Sequence, residues 1–290
     1  MASIIHFFRN RSLDRFDYEQ LINHFTELEN CEIRFDDEVY EMECIDPNFD
    51  FHYRFMITKR SRVNSIYNLN PNYYNIKLLV EIPTLLPEVV SRGILIKVME
   101  LCQMFELEVY YNNKGNGVKD ISPFNMASLM MFLAKERELY LEAHPEEKVY
   151  YYNRNKLVEM CNYQQMIPLL VSKINAETLA NPYIIMIDNE TNEVKTSVLW
   201  ECGTPMFFPP HLDYVHVQEE DFMTIAPASL FMKYNERHMY EPRNFIDNVR
   251  VLLLAQRGAK KVKKNMRKLR KENVPGCRFT EIRIIDLIEK

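Results

Sequence analysis

Glycine is scarce in this chain, at six residues in 290, where an average protein carries about 7%. Gly93, Gly115, Gly117, Gly203, Gly258 and Gly276 form neither a GxGxxG pattern nor a GxxxxGK run followed by Ser or Thr. The glycine-built phosphate cradles of nucleotide-binding proteins are therefore excluded. The six cysteines, Cys31, Cys44, Cys102, Cys161, Cys202 and Cys277, include no CxxC pair. Most stand beside apolar residues, which reads as a reduced set packed in cores rather than a disulfide framework. Long apolar runs are also missing. Ile4 to Phe8 near the start is broken by His6 and is too short for a signal peptide, and no stretch nears the roughly 20 residues of a membrane span. A cytoplasmic protein with no membrane contact and no cofactor is the expectation.

What the chain does contain is enough to fold. Hydrophobic residues make up 47% and charged residues 27%, a globular rather than a disordered balance. The length exceeds the usual domain size of about 100 to 200 residues. Two domains are expected, 1–147 and 148–290, meeting at the polar stretch His144-Pro145-Glu146-Glu147-Lys148.

Local patterns predict an α+β fold, with mixed or antiparallel sheets and flanking helices. Tyr18 to Leu28 places Leu21, Ile22, Phe25 and Leu28 on one helical side. Glu32 to Phe35, Val39 to Ile45 and Phe51 to Thr58 alternate roughly between polar breaks at Asp36-Asp37 and Asp46-Pro47-Asn48, the signature of a hairpin or meander. Lys77 to Ile82, Pro87 to Phe105 and Leu107 to Tyr111 read as strand, helix and strand, a crossover pattern. In the second half, Arg154 to Ile174 reads as a helix kinked or divided at Pro168. Tyr183 to Asp188 and Val194 to Glu201 read as a hairpin, and His211 to Val217 as a strand.

The most distinctive segment is 245–272. Phe245, Val249, Leu252, Ala255, Ala259, Val262, Met266 and Leu269 recur at helical spacing and predict one long C-terminal helix with an apolar seam. Asn244 is its expected cap and Pro275 its stop. At roughly 1.5 Å per residue it would run about 40 Å. Its second half carries Arg257, Lys260, Lys261, Lys263, Lys264, Arg267, Lys268, Arg270 and Lys271, with no acid among them. Taking these nine from the 36 lysines and arginines leaves 27 against 41 acids, a balance of −14 over the rest of the chain. A cationic helix on an acidic body predicts a non-enzymatic module that contacts a protein partner or a second copy of itself, and the acids of 36–46 and Glu219-Glu220-Asp221 offer it acidic surfaces within the same chain. Nucleic-acid binding through the same nine residues is the alternative, weakened by the lack of aromatic residues for base stacking between 246 and 271. The plain structural reading is a solvated face.

Other candidate chemistry is sparser. His211 and Asp213, on a strand, would share one face and offer two metal ligands or a base with its orienter, with Cys202 or Glu201 joining in a metal-assisted hydrolase. No third ligand is fixed, so a polar border to a proline-bent edge strand is the competing reading. Cys202, followed by Gly203, is a conceivable nucleophile, against the commoner inert cysteine. The acids of 36–46 suit a divalent cation or, more simply, the wet face of a half-buried strand. No residue is assigned a catalytic role, and no motif is specific enough to name a family.

Overall fold

The structure, a computed structural model, describes residues 2–36, 38–63, 66, 69–111, 120–174, 178–242, 248–252 and 256–290. Two compact units divide the chain, Met1–Lys148 and Val149–Lys290. Among the described residues no helix is long and apolar enough to cross a membrane.

Unit 1 runs β1 (Ala2–Asn10), α1 (Tyr18–Thr26), β2 (Cys31–Phe35), β3 (Val39–Asp46), β4 (Phe51–Thr58), β5 (Tyr73–Pro83), α2 (Glu88–Phe105), β6 (Leu107–Tyr110) and α3 (Met126–Ala143). One six-stranded sheet, in the order β2-β3-β4-β5-β1-β6, holds all its described strands, and every neighbour pair is antiparallel. Both β5 and β6 flank β1 antiparallel to it, so they run in the same direction and α2 is the crossover between them. Alternation sorts the two faces of the sheet. On one, Phe7 and Phe55 meet, and Phe55 lies 4.9 Å from Phe25 of α1. On the other, Arg54 reaches Glu41 on β3 at 2.8 Å and Glu81 on β5 at 2.6 Å. Asp17 caps α1 by accepting from the backbone of Glu19 and Gln20, and Asn125 caps α3 through Ser128, as short polar side chains do. The β1–β5 register breaks between His6 and Phe8 where Lys77 takes a left-handed φ of 60°, a bulge.

Unit 2 runs β7 (Tyr150–Tyr152), α4 (Arg154–Ile174), β8 (Leu179–Ala180), β9 (Tyr183–Asp188), β10 (Glu193–Glu201), β11 (Met206–Phe208), β12 (Tyr214–Gln218), β13 (Met223–Pro227), α5 (Ala228–Asn235), β14 (Met239–Tyr240), β15 (Arg250–Leu252), α6 (Gln256–Leu269), β16 (Phe279–Ile282) and β17 (Leu287–Glu289). Three sheets result, β13-β12-β10-β9-β16, β14-β15-β11-β8 and β17-β7. Each includes a parallel pair, β10 with β12, β11 with β8 and β17 with β7. Trp200, Phe208, Phe231, Val262, Met266 and Leu269 centre its core. Pro168 is accommodated inside α4, which continues through it.

Three expectations are corrected. The predicted fold class included a long C-terminal helix over 245–272. Instead Arg250–Leu252 is a strand paired with β11 and β14, α6 covers only Gln256–Leu269, and the chain closes on short strands and 3-10 turns. Fourteen residues at about 1.5 Å each make a rod of about 21 Å, half the expected length. The physical reason is the run Val249-Arg250-Val251-Leu252, whose β-branched residues suit a strand, preceded by Asn248 at φ 65°, which no α-helix admits. Over so short an apolar run, helical and strand spacing coincide. The expected cap Asn244, with Phe245 and Asp247, lies outside the described residues. Second, the strand expected from His211 begins only at Tyr214.

Third, Cys31 and Cys44 are bonded to each other. Their spacing of 13 carries no sequence signal, but the β2–β3 register sets them directly opposite. Replacing both by serine is expected to cost about 2 to 4 kcal/mol, the usual worth of closing a loop of this size, read as a lower melting temperature under oxidising conditions. The difference should vanish when wild type is reduced.

At the end of β9, Asp188 is 1% exposed and is forked by Arg278, whose Nη2 donates to Oδ2 at 2.6 Å and whose Nε is shared between Oδ1 at 3.0 Å and Oδ2 at 3.1 Å. Those bonds hold its carboxyl at about 2 against burial, which pushes the other way. A depressed native pKa means stability that is complete above the unfolded carboxylate value, near 4, and lost as pH falls towards 2. Wild type should lose stability across that window, and Asp188→Asn should be less stable at neutral pH with a flatter acid limb in denaturant titrations.

Candidate functional site

The cationic end of α6 is placed by its opposite side. Val262, Met266 and Leu269 are 0 to 1% exposed and enter the core beside Trp200 and Phe231. Spacing of four and three residues makes them one seam. Asn265 donates to the Tyr234 carbonyl at 2.7 Å, fastening α6 to the end of α5. Beyond the helix, Asn273 Oδ1 accepts the Ile225 N–H and the Val274 N–H donates to the Ile225 carbonyl, which locks the following segment along β13.

With the seam inward, Lys264, Arg267, Lys268 and Lys271 are exposed. Lys264, Arg267 and Lys268 stand at i, i+3 and i+4 on α6, one stripe facing water, and Lys271 follows in the 3-10 turn Arg270–Glu272. The Lys268 ammonium lies 5.4 Å from the Tyr234 ring centre. Arg270 is already engaged: it grips Glu219 through Nε and Nη2 at 2.9 and 2.6 Å, and its guanidinium stacks 4.0 Å from the Phe222 ring centre. Glu219 is one acid of the Glu219-Glu220-Asp221 patch, so part of the predicted ridge is neutralised within the chain. The side chains of Arg257, Lys260, Lys261 and Lys263 lie outside the described part. Sequence spacing carried no signal for Phe222 or Tyr234, whose role depends on loop and helix packing.

His211 and Asp213 do not converge. His211, in the left-handed region at φ 57°, sets Nε2 2.8 Å from Glu159 Oε2 on α4. Asp213 turns to β10, where Oδ2 accepts the Thr196 N–H at 2.9 Å and the Thr196 hydroxyl at 3.2 Å. Among the described residues no three His, Cys, Asp or Glu side chains gather as a metal site. A cleft of about 520 Å³ includes His211, Ser229 and Arg250 in its lining. Glu159, 52 residues away, was invisible to spacing arguments. So was Ser197, whose buried hydroxyl lies 2.7 Å from Nδ1 of His216. Burial lowers the His216 pKa, keeping that pair a neutral core contact.

Cys202 occupies the turn after β10, its N–H donating to the Gln218 carbonyl, beside Gly203 at φ 105°. Cys102 is buried in unit 1 and its thiol is pushed up to about 12 by that burial, which leaves it unreactive at neutral pH. Four of the acids of 36–46 are spent on structure. Asp36 and Asp46 accept backbone N–H groups at their turns, Glu41 pairs with Arg54, and Glu43 with Arg34 and His52.

Truncating the seam tests how α6 is held. Met266→Ala should cost about 2 to 5 kcal/mol and red-shift the fluorescence of Trp200, the chain's one tryptophan. Lys264→Ala on the opposite side should leave stability within about 0.5 kcal/mol of wild type and the emission unshifted. No family model, curated protein or solved structure matches this chain, so what α6 presents is argued from its own geometry.

Proposed function

We propose that the protein works by contact, using the exposed stripe of α6 to dock on an acidic protein surface. The observation that carries this is the division of one short helix into a fully buried seam and a row of exposed cations, Lys264, Arg267 and Lys268, continued by Lys271 in the 3-10 turn after it. A helix so anchored holds its charges at fixed spacing, and a pre-set array loses less freedom on binding than mobile side chains on a loop. An acidic protein surface is favoured over a polynucleotide because the remainder of the chain carries a net negative charge, which repels a long polyanion while tolerating a local patch. The hydrolase reading is not taken up, because His211 and Asp213 turn to separate protein partners.

Titration of a short fluorescein-labelled oligoglutamate peptide by anisotropy tests the reading, as a local acidic patch, with duplex DNA beside it. Wild type should bind the peptide at low salt. The triple variant Lys264→Glu, Arg267→Glu, Lys271→Glu should bind at least about tenfold more weakly, a loss of about 1.4 kcal/mol. Absence of binding at low salt overturns the proposal. Tighter binding of DNA, with affinity falling steeply in log salt, replaces it with the nucleic-acid alternative.

A further inference from the structure

The six-stranded sheet of unit 1 ends at β2, which pairs with β3 on one side only. Two hydrogen bonds fix which of its backbone groups are turned inward. At one end of the ladder the Ile45 N–H donates to the Asn30 carbonyl at 2.8 Å, and at the other the Asp36 N–H donates to the Val39 carbonyl at 3.1 Å. Antiparallel bonding alternates residue by residue, so the even-numbered residues of β2 bond inward to β3. The backbone groups of Cys31, Ile33 and Phe35 point out from the sheet. The Cys31 N–H is taken by the Leu28 carbonyl. Among the described residues no strand lies along the rest of that edge.

The side chains on this edge are self-complementary. Glu32 and Arg34 bracket Ile33, with side chains 67% and 61% exposed, and already approach each other at 2.8 Å. Phe35 is 62% exposed, and its ring sits 4.2 Å from that of Tyr40 across the hairpin. Natural proteins keep edges solitary by shortening, bulging, covering or charging them. On this regular edge the two charges are of opposite sign and symmetric about the middle residue, so a second copy turned about that residue meets its opposites rather than its like.

We infer that β2 is a pairing edge for a second copy of this chain, joined antiparallel about a two-fold axis at Ile33. In that register Ile33 exchanges both backbone bonds with Ile33 of the second copy, and each Phe35 N–H reaches a Cys31 carbonyl. Glu32 of one copy faces Arg34 of the other twice over, so the existing pairs close into a ring of four alternating charges. Each Phe35 settles opposite the Cys31–Cys44 bridge of the other copy. The bridge holds β2 to β3, so the edge is fixed before it meets its mate. A two-fold contact is isologous, which is why a single strand suffices as both halves. The inference is independent of α6 and holds or fails apart from it.

Sedimentation velocity on the full chain, from about 1 to 300 µM, a range suited to weak association, reads the outcome. Wild type should move from monomer to dimer. Glu32→Arg and Arg34→Glu each set like charges opposite one another at two places, and each should weaken the dimer about fivefold or more. Mixed in equal amounts, those two variants place a pair of arginines on one copy against a pair of glutamates on the other, and the mixture should associate at least as tightly as wild type. Ile33→Pro removes an outward N–H without touching the β3 bonds and should leave only monomer, with its far-UV dichroism checked for folding. If that variant unfolds, the charge-swapped mixture still decides. Wild type monomeric throughout, single reversals that leave the dimer unchanged, or a mixture no tighter than either variant alone each overturn the inference.

Discussion

The exposed chemistry of unit 2 depends on the burial of Val262, Met266 and Leu269 against Trp200 and Phe231. Burying such side chains is worth roughly 1.5 to 3 kcal/mol apiece, far more than any exposed ion pair contributes. That difference fixes the rotation of α6 about its own axis. The cations face water as what remains once the seam is satisfied. Arg270 shows the same ordering, since its stack on Phe222 and its fork on Glu219 follow from where the end of the seam leaves it.

Legibility in the sequence followed the length and regularity of each pattern. The meander of β2, β3 and β4, the hairpin of β9 and β10 and the crossover helix α2 were readable because several residues at period two or 3.6 agreed, with turn residues between them. The helix predicted over 245–272 failed where agreement was accidental: Val249 and Leu252 fit a helical seam and a short strand equally well. Propensity at Val249 and Val251, and the left-handed Asn248, settled the matter for the strand. The seam of α6 from Val262 onward was legible. The acidic run Glu219-Glu220-Asp221 was legible as a complement to its cations, but nothing local marked Tyr234 or Phe222 as their aromatic partners.

Candidate chemistry suffered from the same blindness to distance. His211 and Asp213 are two residues apart, which suggests a shared task only if the segment is a strand. It is not, and the side chains part towards Glu159 on α4 and Thr196 on β10. Likewise Cys31 and Cys44 acquire their relation from register, not from spacing. Pairing in a sheet brings together residues whose separation depends on hairpin length, and no local motif records it.

Scarcity of glycine has its own structural echo. Lys77, Glu106 and His211 occupy the left-handed backbone region, a place where a side chain costs about 1 to 2 kcal/mol, at a bulge, at the junction of α2 with β6 and ahead of β12. Corners turned without glycine leave strain in the native backbone. They also leave the disordered chain with fewer conformations to surrender, since glycine is the residue that loses most freedom on folding. The two effects oppose each other, so the rigidity of these corners is set as much by the ensemble the chain leaves as by the contacts it gains.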